Sequence, residues 1–189
     1  MLTLRAIVEA LRTRYVRNCI DGRDFGFDKT RGSRVQTIAV LDFETTGLSP
    51  SRGDRATEIA VILLRDGEIV DRYQSLMNAG KRIPSQVVSL TGITNDMIAA
   101  APAAPKVMSE AARFVGRHPV VAHNAGFDRR FWQAELGLLG IPASQNFACT
   151  MLTSRRIYPH AQITGYRHWS ICCNCLRPGV RTERWPTLK

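Results

Sequence analysis

The chain reads as an α/β domain organised around a sheet, on three observations. An apolar run, Ile38-Ala39-Val40-Leu41, leads directly into the acidic string Asp42-Phe43-Glu44. Two strand-like runs, about 57–64 and 69–76, flank Asp66-Gly67, a dipeptide suited to a tight hairpin. Further on, apolar residues at helical spacing bracket a short strand-like Val120-Val121-Ala122.

In chain order, residues 3–19 place Leu4, Ile7, Val8, Leu11, Tyr15 and Val16 at helical spacing with arginines between them, which predicts a short amphipathic helix. Residues 21–34, with three glycines and mixed charge, read as a linker. From Val35 a buried strand runs to Leu41. Strands from about Thr57 to Leu64 and from about Ile69 to Leu76 then make an antiparallel meander. The stretch up to Pro105 reads as loop. After it, Val107, Met108, Ala111, Ala112 and Val115 predict a helix leading into the strand at 120–122. Phe131, Trp132, Ala134, Leu136 and Leu138 predict a second helix, with Asp128 in its first turn. Thr150-Met151-Leu152 and Ser154-Arg155-Arg156 suit one more. The organisation is therefore an N-terminal helix and linker over 1–34, a domain over 35–159 and an atypical basic tail over 160–189.

Length and composition bound the function classes. With 189 residues, 44% of them hydrophobic, one domain with a real core is expected. No apolar stretch approaches the roughly 20 residues that span a bilayer, and Arg5 and Glu9 interrupt any signal-peptide core, so a cytoplasmic protein with no membrane partner is expected. Five cysteines, scattered as Cys19, Cys149 and a cluster at 172, 173 and 175, do not make a disulfide framework. The net charge of +10 is carried by the two ends, residues 1–34 and 150–189, while the segment between them is neutral. Basic ends bind phosphates by counterion release but are as often simply solvated, so they support a nucleic-acid partner only weakly.

The acidic string carries more. In a strand, residues i and i+2 share a face, so Asp42 and Glu44 aim two carboxylates at one place. Like charges that close repel strongly unless a cation lies between them, and hard divalent ions take oxygen ligands of this kind. Asp128, opening a helix just past a strand end, would by itself read as a residue favoured there by the helix dipole.

Taken together, Val40-Leu41-Asp42-Phe43-Glu44-Thr45-Thr46-Gly47-Leu48 resembles the first motif of the DEDDh-type 3′-to-5′ exonucleases, and Val121-Ala122-His123-Asn124-Ala125-Gly126-Phe127-Asp128 resembles their second. Leu90-Thr91-Gly92-Ile93-Thr94 is similar to the Gly-Ile-Thr element of the branch that includes the proofreading epsilon subunits of bacterial DNA polymerase III. The resemblance covers about Val35 to Tyr158, with the motifs in the right order. It implies a ribonuclease H-like fold, a mixed five-stranded sheet flanked by helices. It also implies hydrolysis of terminal phosphodiesters with two Mg²⁺ or Mn²⁺ ions, held by Asp42, Glu44 and Asp128 as catalytic and metal-binding residues. Single-stranded or frayed DNA 3′ ends are the implied substrate, RNA being an alternative, with a DNA polymerase subunit as a partner in replication. Thr45, Thr46, Gly47, Leu48, Ile93 and Asn124 are the implied substrate contacts. Gly47 is read equally as a plain turn, Phe43 and Phe127 as core residues, and His123 as a structural histidine.

One departure matters. The family's third motif, a His followed five residues later by Asp, has no counterpart, because no aspartate follows Asp128 and neither His160 nor His168 has an acid at that spacing. The fourth carboxylate and general base are unassigned, and impaired activity, or an inactive member that still binds nucleic acid or a polymerase, is expected. A third reading is a poorly folding product that lacks its terminal helices. Beyond Pro159 the crowd of Cys, Trp, Arg and Pro reads as out-of-frame translation from near residue 160. A zinc site built on Cys172, Cys175, His160 and His168 is the rival, with its second ligand pair badly spaced.

Overall fold

The computed structural model describes residues 37–157. The expected N-terminal helix and linker, the atypical tail, its frameshift reading and its zinc reading all lie outside the described residues. Among them, no helix is long and apolar enough to cross a membrane.

Five strands form one mixed sheet in the order β3-β2-β1-β4-β5, where β1 is Thr37–Thr45, β2 Ala56–Arg65, β3 Glu68–Leu76, β4 Val120–Ala122 and β5 Phe147–Cys149. β1 pairs antiparallel with β2, and β2 with β3; β4 runs parallel to β1, and β5 parallel to β4. The β2–β3 turn has Asp66 at φ 52° and Gly67 at φ 78°, the double left-handed conformation of the expected hairpin. β1 runs past the apolar string to Thr45. Its polar residues after Leu41 alternate with buried Phe43 and Thr45, so the strand period continues where the apolar run stops.

Ala104–Val115 forms the helix expected after Pro105, with Pro105 itself in the first turn, where its missing N–H costs nothing. Ala125–Gly137 forms the second expected helix, and Thr150–Ile157 the last. Leu138, read from its spacing as part of the second, caps that helix's end instead and is exposed. The stretch read as loop before Pro105 contains two short helices, Ser85–Thr91 and Asn95–Ala99. The first fully buries none of its residues and packs Val87 and Val88 only partly against Ile83, Ile93 and Ile98, too short a stripe to read. Its end is set by Gly92 at φ 76°, and Thr94 caps the second by accepting from the Met97 N–H at 3.2 Å. In chain order the helices are α1 (85–91), α2 (95–99), α3 (104–115), α4 (125–137) and α5 (150–157).

The main core lies on one face of the sheet. Ala39, Leu41 and Phe43 of β1 and Ile59 and Val61 of β2 pack against Val107, Met108, Ala111 and Val115 of α3 and against Phe131, Trp132 and Leu136 of α4. Each such large apolar side chain contributes about 1.5–3 kcal/mol by leaving water. The alternate residues, Val40 with Ala60, Ile62, Leu64 and Val121, form a smaller apolar layer on the opposite face. Phe43 and Phe127 both pack with Phe131, at ring-centroid distances of 6.5 and 5.0 Å, in keeping with their reading as core residues.

Candidate active site

Asp42 and Glu44 project from β1 on the face opposite α3 and α4, where alternation places them once Leu41 and Phe43 face the core. Asp128 arrives from the other side of the chain. The β4 strand lies parallel to the middle of β1, its end opens α4, and Asp128 in the first turn of that helix is buried against β1. Its Oδ1 accepts from the Phe43 N–H at 3.2 Å, across 85 residues of sequence. The hydrogen bond falls on the backbone link between the two acidic residues of the first motif. Sequence-distant carboxylates are thereby gathered at the end of the central strand.

The electrostatics follow from that gathering. Burial, reinforced by the charges of Glu44 and Glu58, pushes the Asp42 carboxyl up to about 7. Burial also raises Glu44, with Glu58 adding to it. Asp128 is held well above the usual carboxylate range, chiefly by burial and next by the charge of Asp42, while the Phe43 N–H works in the opposite direction. The protein alone thus makes these groups reluctant to ionise.

Glu58 was not among the residues picked out from the sequence. It sits directly across from Glu44 in the antiparallel β1–β2 register and accepts from Gln74 Nε2 at 2.6 Å. Like charges opposite one another weaken a sheet pair, so the pairing marks the acidic character of this edge. The signal was available only through the strand register, which the spacing of apolar residues does not supply.

The remaining candidates occupy varied surroundings. Thr45 and Thr46 are buried; the Thr45 hydroxyl donates to the Gly47 carbonyl at 2.6 Å, and Thr46 Oγ1 accepts from the Arg55 N–H at 3.0 Å. Gly47 lies against the Asp54 carboxylate so closely that an added Cβ would come within 2.5 Å of it, which is a packing reason for glycine here. Asp54 is in turn held by the Ser49 N–H at 3.0 Å and by Lys81 Nζ at 3.1 Å. Leu48 stands out at 79% exposed. Ile93 is buried with Ile83 and Ile98 in a small separate cluster. Asn124 is exposed and adopts the left-handed conformation, φ 56°, between β4 and α4. His123 shares a hydrogen bond with Thr150 Oγ1 at 3.1 Å, and burial followed by the charge of Arg155 lowers its pKa, both consistent with a structural histidine.

Among the described residues, no three His, Cys, Asp or Glu side chains close on one point tightly enough to hold a metal ion by themselves. The donor chemistry nevertheless fits a hard divalent ion. Asp42, Glu44 and Asp128 offer carboxylate oxygens whose ionisation is held back by burial and by neighbouring acidic groups. Mg²⁺ is ordinarily held in this manner, by one or two carboxylates with water and substrate phosphate completing its shell.

A family model described as an exonuclease, RNase_T, matches residues 39–172. PolC-type DNA polymerase III of Bacillus cereus is 35% identical over 125 residues, 66% of this chain and 9% of that protein. The PolC-type polymerase of Staphylococcus haemolyticus is also 35% identical, over 139 residues, 72% of this chain and 10% of that protein. The chain thus spans about a tenth of the length of these relatives. Among solved structures, exonuclease X in complex with 5′ overhanging duplex DNA is 29% identical with a TM-score of 0.54, over 67% of this chain and 68% of that one. Product-bound exonuclease I, at 16% identity, shares the fold with a TM-score of 0.61, over 70% of this chain and 34% of that one.

Proposed function

The chain belongs to the exonuclease family whose model it matches, and from that premise we propose that it is a divalent-metal-dependent 3′-to-5′ exonuclease acting on DNA ends, of the proofreading type. The convergence of Asp42, Glu44 and Asp128 carries this reading, through the hydrogen bond from the Phe43 N–H to Asp128. Asp42 and Glu44 would hold metal from the β1 side and Asp128 from the α4 side. Divalent ions bound there would lower the pKa of an attacking water and stabilise the leaving 3′ oxygen. Exposed Leu48, shortly after the β1 carboxylates, and exposed Asn124, at the start of α4, would meet the terminal nucleotide, with buried Thr45 and Thr46 and partly exposed Gly47 shaping the backbone between. Ile93, expected as a substrate contact, is buried in its own cluster with Ile83 and Ile98 and is left out of this contact set.

A single-stranded oligonucleotide labelled at its 5′ end tests the reading. With Mg²⁺ or Mn²⁺, shortening one nucleotide at a time from the 3′ end is expected, with loss of activity to background in Asp42→Ala. Release of the 5′ label as the first product would refute the direction, and cleavage unchanged by Asp42→Ala would refute the site. The absence of any aspartate after Asp128 favours a second reading, a member of low or no activity that retains binding to nucleic acid or a polymerase. Retained oligonucleotide binding without shortening distinguishes it. The polymerase relatives support a replication context for either reading.

A further inference from the structure

The nuclease reading leaves unexplained an ion pair between buried Glu135 and half-buried Arg55. Glu135 is 3% exposed and lies on α4, two turns beyond Asp128. Its Oε1 accepts from Arg55 Nε at 2.9 Å and from the Ala56 N–H at 3.0 Å, and its Oε2 accepts from Arg55 Nη2 at 2.9 Å. Arg55 Nη1 reaches the Ala79 carbonyl at 3.3 Å. The Arg55 backbone then closes on Thr46 in both directions, donating to Thr46 Oγ1 at 3.0 Å and accepting from the Thr46 N–H at 2.9 Å. Ala56 pairs with Thr45, at the irregularity that follows Glu44.

These contacts form a continuous path from α4 through Glu135, Arg55 and Ala56 to the residues that follow Glu44. With the bond from Phe43 to Asp128, α4 is fastened to the β1–β2 layer at two points about 10 Å apart along its axis. An ion pair with one partner buried is weak evidence of stabilisation, since the cost of taking Glu135 out of water offsets much of the attraction. What the forked guanidinium–carboxylate contact supplies is fixed distance and orientation.

We propose that Glu135 is a positioning residue, whose grip on Arg55 and Ala56 sets the separation between Asp128 on α4 and the Asp42–Glu44 pair on β1, and so the geometry in which divalent metal is taken up. The inference rests on the nuclease reading and extends it to a side chain that touches neither metal nor substrate.

The test uses the full chain with Glu135→Gln, which keeps shape and an acceptor for Ala56 but removes the charge. Amide hydrogen exchange is followed without metal, and Mn²⁺ binding is followed by calorimetry without nucleic acid. Glu135→Gln is expected to melt cooperatively, to lose protection at the Phe43 and Thr46 amides beyond any loss at Val61, and to bind Mn²⁺ about tenfold more weakly. Val115→Ala, a cavity in α3 away from the site, is expected to lower the melting temperature with parental Mn²⁺ affinity. If Glu135→Gln melts lower yet keeps parental Mn²⁺ affinity and protection at Phe43, the ion pair is only structural and the inference is overturned. If that variant does not melt cooperatively, Arg55→Lys, which keeps the charge and loses the fork, is read in the same way. If the parent binds no Mn²⁺, or binds it equally after Asp42→Asn, the nuclease reading itself fails and takes this inference with it.

Discussion

At the scale of single residues, the proton on Asp42 is the most telling quantity. The folded chain holds it up to about 7, against an ordinary value of 3.8, because the carboxyl is buried beside other acidic groups. A carboxyl whose pKa is raised by folding favours the native state fully below its unfolded value and loses that advantage as pH climbs through its folded value. Stability from this group is therefore lost between about pH 4 and about pH 7. In EDTA, Asp42→Asn is expected to gain melting temperature relative to the parent across that window, whereas a difference that stays flat with pH would refute the assignment. Glu58→Gln removes one of the charges pressing on Asp42 and Glu44, and should move the pH dependence of Mn²⁺ binding towards acid. Gly47→Ala must push the Asp54 carboxylate aside and loosen its hold on the Ser49 N–H; a loss of about 1 kcal/mol in denaturant unfolding is expected.

At the scale of elements, the sequence was most legible where an element is buried deeply enough to leave an apolar run or stripe. β1 and β2 read as apolar runs because both of their faces are covered, α3 and α4 repeat with a helical period, and the Asp66-Gly67 turn announces its own geometry. Replacing Gly67 by Ala should cost roughly 1–2 kcal/mol in chemical denaturation, because φ 78° is hostile to a side chain. α1 and α2 escaped notice for the opposite reason: they are short, lie at the surface and owe their limits to Gly92 and Thr94. Asp42, Glu44 and Asp128 were expected together only through the motifs in which they sit, and the fold brings Asp128 against the backbone between the other two. Glu58 and Glu135 could not be picked out, since one is recognised through strand register and the other through a partner 80 residues away in sequence.

At the scale of the whole molecule, the site is a tertiary object, assembled from β1, β2 and α4, so any ion it binds is coupled to folding. Mn²⁺ at about 100 times its dissociation constant should stabilise the native state by about 2.7 kcal/mol, seen as a rise in melting temperature that Asp128→Asn abolishes. A rise that survives the substitution would place the ion elsewhere. The relatives extend far beyond this domain, with the match occupying 9–10% of their length.

The strand pairing is lopsided, and that has a consequence for how the protein fails. β1 is matched to β2 through nine residue pairs but to β4 through only two. Asp42 and Glu44 belong to the deep antiparallel half, while Asp128 lies on α4, which follows the shallow parallel strand β4 and is bonded back to β1. Under gentle heating the shallow half should peel away first, since regions with few paired neighbours open at the lowest free energy. Because α4 is fastened to β1 and β2 through Asp128 and Glu135, the carboxylates would be parted only once those contacts also give way, so Glu135→Gln should make inactivation run further ahead of the loss of the far-ultraviolet circular dichroism signal.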